Sequence, residues 1–142
     1  MTMKRILLAA IAALMLPLCA SASAPATIRI STDETELVLQ TAADGRLYQT
    51  YFGDCLKNEA EAASIAPDGS EVYMGSGFED YFEPALGIVH NDGNRCTVLR
   101  YVSHEKKSVE GGTETVIRLR DEVYPVEVTL HYVAFSKENV IK

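Results

Sequence analysis

The chain after its first twenty-odd residues predicts an all-β protein, an antiparallel β-sandwich. Three observations carry this. Apolar and polar residues alternate with a period of two in one segment after another, the pattern of strands with one face buried. β-Branched residues and tyrosine dominate those segments and suit a pleated surface. Asp-Gly and Gly-Gly pairs separate them as turns. Helical periodicity is nearly absent.

The elements follow in order. Thr27 to Ser31 alternates Ile28 and Ile30 with polar neighbours. Thr35 to Thr41 puts Leu37 and Leu39 on one face and Glu36, Val38 and Gln40 on the other, and Asp44-Gly45 then turns the chain. Leu47 to Phe52 resumes as a strand. Gly53 to Glu83 shows little alternation and reads as a long excursion, of the kind that carries function or disorder. Glu59 to Ala63 can form one helical turn within it, ended by Pro67-Asp68-Gly69-Ser70. Leu86 to His90 reads as a short strand, Asn91-Asp92-Gly93 as a turn, and Cys96 to Val102 as its hairpin partner. Gly111-Gly112 marks the next turn. Thr113 to Arg120 sets Thr115, Ile117 and Leu119 against Val116, Arg118 and Arg120. Val126 to Phe135 points Val126, Val128, Leu130 and Tyr132 inward, against Glu127, Thr129 and His131. Val140-Ile141-Lys142 reads as the start of a further strand, so the sandwich is expected to be incomplete, with more protein downstream.

Size and charge narrow the classes. The 142 residues give room for one domain and not for a (β/α)₈ barrel, which needs ~250. Twenty acids against 13 basic residues leave a formal charge of −7, which argues against a nucleic-acid partner.

Residues 1–22 read as a signal peptide. Lys4 and Arg5 form a positive start, Ile6 to Leu18 an apolar run, and Ala20 to Ala24 a small-residue stretch with Ala-x-Ala frames. Pro25 disfavours cleavage after Ala24, so Ala22 is the expected site. Residues 23–142 are then the mature domain, in an exported protein of the bacterial periplasm or exterior. A lipoprotein anchored through Cys19 is the weaker fit, because Leu18 stands where a lipobox has a small residue. The mature chain keeps Cys55 and Cys96, either a disulfide in an oxidising compartment or two free thiols.

The search for chemistry returns little. His90, His104 and His131 have no metal-ligand spacing, and the cysteines have no near partner, so neither a metal nor a cofactor is expected. Asp68-Gly69-Ser70 and Asp92-Gly93-Asn94 read as turns and not as calcium loops. No nucleophile motif is present, and no catalytic residue is assigned. Glu79, Asp80 and Glu83 form the dense acidic group near aromatics. Asp80, Tyr81 and Glu83 are the loop candidates for substrate contact, against a plain solvated loop over packed aromatics.

Several pieces then line up in sequence. Tyr48 to Gly53 is followed by Asp80-Tyr81-Phe82-Glu83-Pro84-Ala85-Leu86 and by His90-Asn91-Asp92-Gly93. Leu99-Arg100-Tyr101, His104, Leu119-Arg120-Asp121, Tyr124 to Tyr132 and Asn139-Val140-Ile141 come after them. This collinear set resembles the N-terminal β-domain of glycoside hydrolase family 36 α-galactosidases, over about residues 27–142. The resemblance implies a supersandwich-like fold. It also implies a parent enzyme that removes terminal α-galactose from α-galactoside oligosaccharides by a retaining mechanism. The two catalytic aspartates would belong to a downstream barrel in the same full-length chain, and a homo-oligomer is possible in that family. This segment alone would then be inactive. The other reading is a stand-alone secreted carbohydrate-binding or envelope interaction module, against which the absence of tryptophan weighs.

Overall fold

The computed structural model describes residues 25–77 and 83–142. The signal segment, Cys19, Asp80 and Tyr81 lie outside the described residues. Two four-stranded antiparallel sheets form, each a meander in sequence order. The first contains β1 (Thr27–Ser31), β2 (Thr35–Thr41), β3 (Leu47–Asp54) and the two-residue β4 (Ser70–Glu71). The second contains β5 (Leu99–Val109), β6 (Gly112–Asp121), β7 (Glu127–Phe135) and β8 (Val140–Ile141). A single helical turn, α1 (Glu59–Ala63), lies between β3 and β4, with Asn58 capping it by accepting from the Glu61 N–H.

The expected alternation decides which side chains meet. Ile28, Ile30, Leu37, Leu39 and Leu47 of the first sheet pack against Leu99, Ile117, Leu119 and Ala134 of the second. Val126, Val128, Leu130 and Tyr132 point the same way and are partly covered. β2 differs from a half-exposed strand, since Glu36 through Thr41 are all buried. Its inner residues face the second sheet. Its outer residues lie under the stretch that follows β3. There Gln40 donates to the Ala62 carbonyl at 2.7 Å, and Arg29 and Glu36 form an ion pair that also holds Leu56.

The expected hairpin of Leu86–His90 with Cys96–Val102 does not form. The turn itself is present, with the Gly93 N–H donating to the His90 carbonyl at 2.9 Å. A third segment enters between the two arms. Ser76 N–H donates to the Leu86 carbonyl at 2.9 Å, and Thr97 N–H to the Ser76 carbonyl at 3.0 Å. Leu86 therefore makes one isolated bridge, to Gly75, and β5 begins only at Leu99. Gly75 is what lets the segment in, because a Cβ there would sit 2.0 Å from the Thr97 carbonyl oxygen. Gly75→Ala is expected to cost about 1–3 kcal/mol as overpacking, read as a lower denaturant midpoint at unchanged m-value.

The turns sort to two ends of the sandwich. At the loop end, the β2–β3 turn meets the start of β5, where the Tyr101 N–H donates to the Gly45 carbonyl at 2.9 Å. The β6–β7 turn and the described residues 70–77 and 83–98 gather there too. At the hairpin end, the β1–β2 and β7–β8 turns meet, with the Thr32 hydroxyl donating to Asn139 Oδ1 at 2.5 Å.

Candidate functional site

The loop end carries a cleft of about 420 Å³ lined by Arg46, Tyr48, Glu71, Val72, Met74 and Glu83 among others. Its polar wall starts from the β2–β3 turn. Gly45 has a φ of +79°, which only a residue without a Cβ adopts freely. The Asp44 carboxylate caps the turn by accepting from the Arg46 N–H at 3.0 Å. It also holds the Arg46 guanidinium at 2.6 Å and accepts from the Tyr48 hydroxyl at 3.2 Å. Arg46 reaches on to Glu71 at 3.0 Å and lies over the Tyr48 ring. Burial works against the Asp44 charge, but the hydrogen bonds from Arg46 prevail and hold its carboxyl below the usual range. At neutral pH Asp44 is therefore an ionised acceptor and not a proton donor. The wall can offer and accept hydrogen bonds, and Asp44 itself is not the protonated acid that glycoside cleavage requires.

A second arrangement sits beside it. The His90 and Tyr124 rings stack with centroids 3.5 Å apart and 7° between planes. The Tyr124 hydroxyl donates to Asp92 at 2.8 Å and accepts from the Asn94 amide at 2.8 Å. His90 Nε2 lies 3.1 Å from the hydroxyl of buried Thr97. The Asp121 carboxylate takes backbone N–H groups from Val98, Val123 and Tyr124 at 2.7–2.8 Å. The sequence pieces around His90, Asp121 and Tyr124 thus meet as one clasp between the 83–98 stretch and the β6–β7 turn. The clasp is a positioning device, since its polar groups are spent on one another.

Of the loop candidates, Glu83 lies exposed on the cleft rim, and Asp80 and Tyr81 fall outside the described residues. Cys55 and Cys96 are both free thiols, Cys55 exposed at the end of β3 and Cys96 half-buried beside Gly77. The Asp44–Arg46–Glu71 wall escaped the sequence reading. Asp44-Gly45 signalled a turn, but nothing local shows that the two residues of β4 bring Glu71 to Arg46. Among the described residues no group of three or more metal-ligating side chains occurs.

A family model described as the glycosyl hydrolase family 36 N-terminal domain matches residues 45–142. The chain belongs to that family. No curated protein matches it. Among solved structures, the family 36 α-galactosidase AgaB from Geobacillus stearothermophilus is 25% identical with a TM-score of 0.65, matching 81% of this chain and 20% of its own. AgaA from the same organism, solved with raffinose, is 23% identical with a TM-score of 0.66 over 82% of this chain and 21% of its own. The α-galactosidase from Lactobacillus brevis is 20% identical with a TM-score of 0.66 over 84% of this chain and 21% of its own. This family 36 N-terminal domain thus spans about a fifth of the length of the solved proteins it matches. Their fold over that fifth agrees with the two sheets described above.

Proposed function

We propose that the chain is the non-catalytic N-terminal part of an exported α-galactosidase, whose retaining hydrolysis of terminal α-galactosides is carried out by a downstream barrel. The observation that supports this most is the joint match to the family 36 N-terminal domain and to α-galactosidases, each about five times as long as the matched stretch. The domain's role in this reading is to support the barrel and its assembly, with α-galactoside oligosaccharides as the substrates of the whole enzyme and a homo-oligomer as its working form. Asp44, held ionised beside Arg46, is consistent with such a role and offers no acid for cleavage. Export through residues 1–22 is part of the same reading.

The pure 142-residue chain is expected to release no nitrophenol from an aryl α-galactoside, while a version extended through the downstream reading frame does so. Turnover by the short chain, or an extended chain without it, would overturn the reading. Mass analysis of exported protein is expected to place the N-terminus near Ser23. A diacylglyceryl group on Cys19 would assign a lipoprotein instead.

A further inference from the structure

We propose that a cavity between the sheets at the hairpin end binds a small oxyanion, a phosphate, sulfate or carboxylate group, through Lys106, Ser31, Thr113 and Thr115. The proposal is independent of the α-galactosidase reading above.

The alternation of the second sheet creates the site. On its inner face β5 runs through Tyr101, His104 and Lys106, and their partners on β6 are Leu119, Ile117 and Thr115, with Thr113 next in the row. Toward the hairpin end the apolar core therefore gives way to an ammonium and two hydroxyls. On β7 the inward row Val128, Leu130 and Tyr132 closes with the much smaller Ala134, the partner of Thr113. A cavity of about 250 Å³ lies there, with Ile30 and Ala134 as its apolar floor. Its polar lining comes from Arg29, Ser31, Lys106, Thr113 and Thr115, and no carboxylate is among the described residues that line it.

Two of these groups lack a partner. Thr115 is 1% exposed, and its hydroxyl makes no hydrogen bond among the described residues. A buried hydroxyl left unpaired is costly, so this one points to an occupant. Lys106 makes no ion pair among the described residues, whereas Glu105 and Lys107 on either side of it pair with each other at 3.0 Å. The acid that feels the Lys106 charge is Glu36, and Arg29 already neutralises it. β1 adds main-chain donors. It is the edge of its sheet, and on either side of the cavity Ala26 and Thr32 spend backbone groups on Thr41 and Thr35. By antiparallel alternation the Arg29 and Ser31 N–H groups then point away from β2, over the open edge. An ammonium for charge, with hydroxyls and amides to fix orientation, suits an anion and repels a cation.

Isothermal titration of inorganic phosphate and of acetate, at low and constant ionic strength, tests this on the chain extended through its reading frame and on the 142 residues alone. Saturable binding is expected in both. Lys106→Gln should weaken it about tenfold or more, the loss of one charge-assisted hydrogen bond, and Lys106→Arg should retain it. Thr115→Val removes the hydroxyl at nearly constant shape. It is expected to weaken binding several-fold and yet to raise the melting temperature of the anion-free chain, which a hydroxyl with a merely structural role would not do. Tighter binding of phosphate would assign a tetrahedral anion, and tighter binding of acetate a carboxylate. Heat that does not saturate, binding indifferent to Lys106→Gln, or a Thr115→Val chain less stable than the parent would overturn the site. Binding by the 142 residues that the extended chain lacks would overturn it too, since the cavity would then be closed in the whole protein.

Discussion

Glu36→Ala is expected to destabilise the chain by about 3–5 kcal/mol, the cost of breaking a buried ion pair from one side. The Glu36 side chain is 0% exposed and that of Arg29 19%. Glu36 Oε2 also accepts from the Leu56 N–H at 2.8 Å, while Arg29 donates to the Leu56 carbonyl at 2.9 Å. Alanine at 36 therefore leaves the Leu56 N–H without its acceptor and a half-buried guanidinium with only the Leu56 carbonyl and the exposed Glu59 carboxylate. In a domain of this size the loss corresponds to a fall in melting temperature of roughly 10–20 °C. The pair Arg29→Met and Glu36→Leu removes both charges and should be far milder. A single and a double variant that lose the same stability would show that the ion pair is not the cause. Burial opposes the Glu36 charge, but the bonds from Arg29 and from Leu56 outweigh it, so its folded pKa lies below the unfolded one. Its contribution is complete above the ordinary carboxylate range near ~4.3 and disappears as pH falls through the depressed value. Glu36→Gln should accordingly show a shallower loss of stability in acid than the parent chain.

The second large effect is expected at Asp121. The residue is 5% exposed, and its carboxylate takes three backbone N–H groups, those of Val98, Val123 and Tyr124. Asp121→Ala leaves these donors without a partner, at about 1–3 kcal/mol for each that stays buried. It also frees the start of β5 from the β6–β7 turn. Asp121→Asn keeps an acceptor oxygen and should retain part of the loss, so the series Asp, Asn, Ala is expected to fall in that order in chemical denaturation. Burial raises the Asp121 pKa, but the three N–H donors prevail and depress it. The stability it gives is likewise present at neutral pH and lost on the acid side. An alanine variant as stable as the parent would mean that water replaces the carboxylate at all three donors.

The strands that bury one face were legible in the sequence because their alternation is local. Thr27–Ser31 and Thr35–Thr41 have the bounds their alternation indicates, β6 is longer than expected by a residue at each end, and β7 starts one residue later. What the pattern could not show is the partner of each outer face. Alternation puts Glu36 and Gln40 on the face opposite Leu37 and Leu39, and a distant stretch covers them there. The failed hairpin has the same origin. Leu86–His90 has the local character of a strand, but the backbone of residues 74–76 occupies the place of its partner. The polar wall of the cleft was illegible for a similar reason, since Arg46 and Glu71 are joined through β3–β4 pairing across 25 positions.

The two-sided burial of β2 also bears on how such a domain can diverge. Glu36 and Gln40 are polar residues kept inside because Arg29, Leu56 and Ala62 receive them. The loop that supplies those receivers and the strand that needs them are thus one heritable unit. A lineage that shortened residues 55–62 would have to exchange Arg29, Glu36 and Gln40 for apolar residues in the same step. A lineage that kept the triad could vary the sequence of the covering stretch freely, provided its path still brought a backbone N–H and a carbonyl to the same two points.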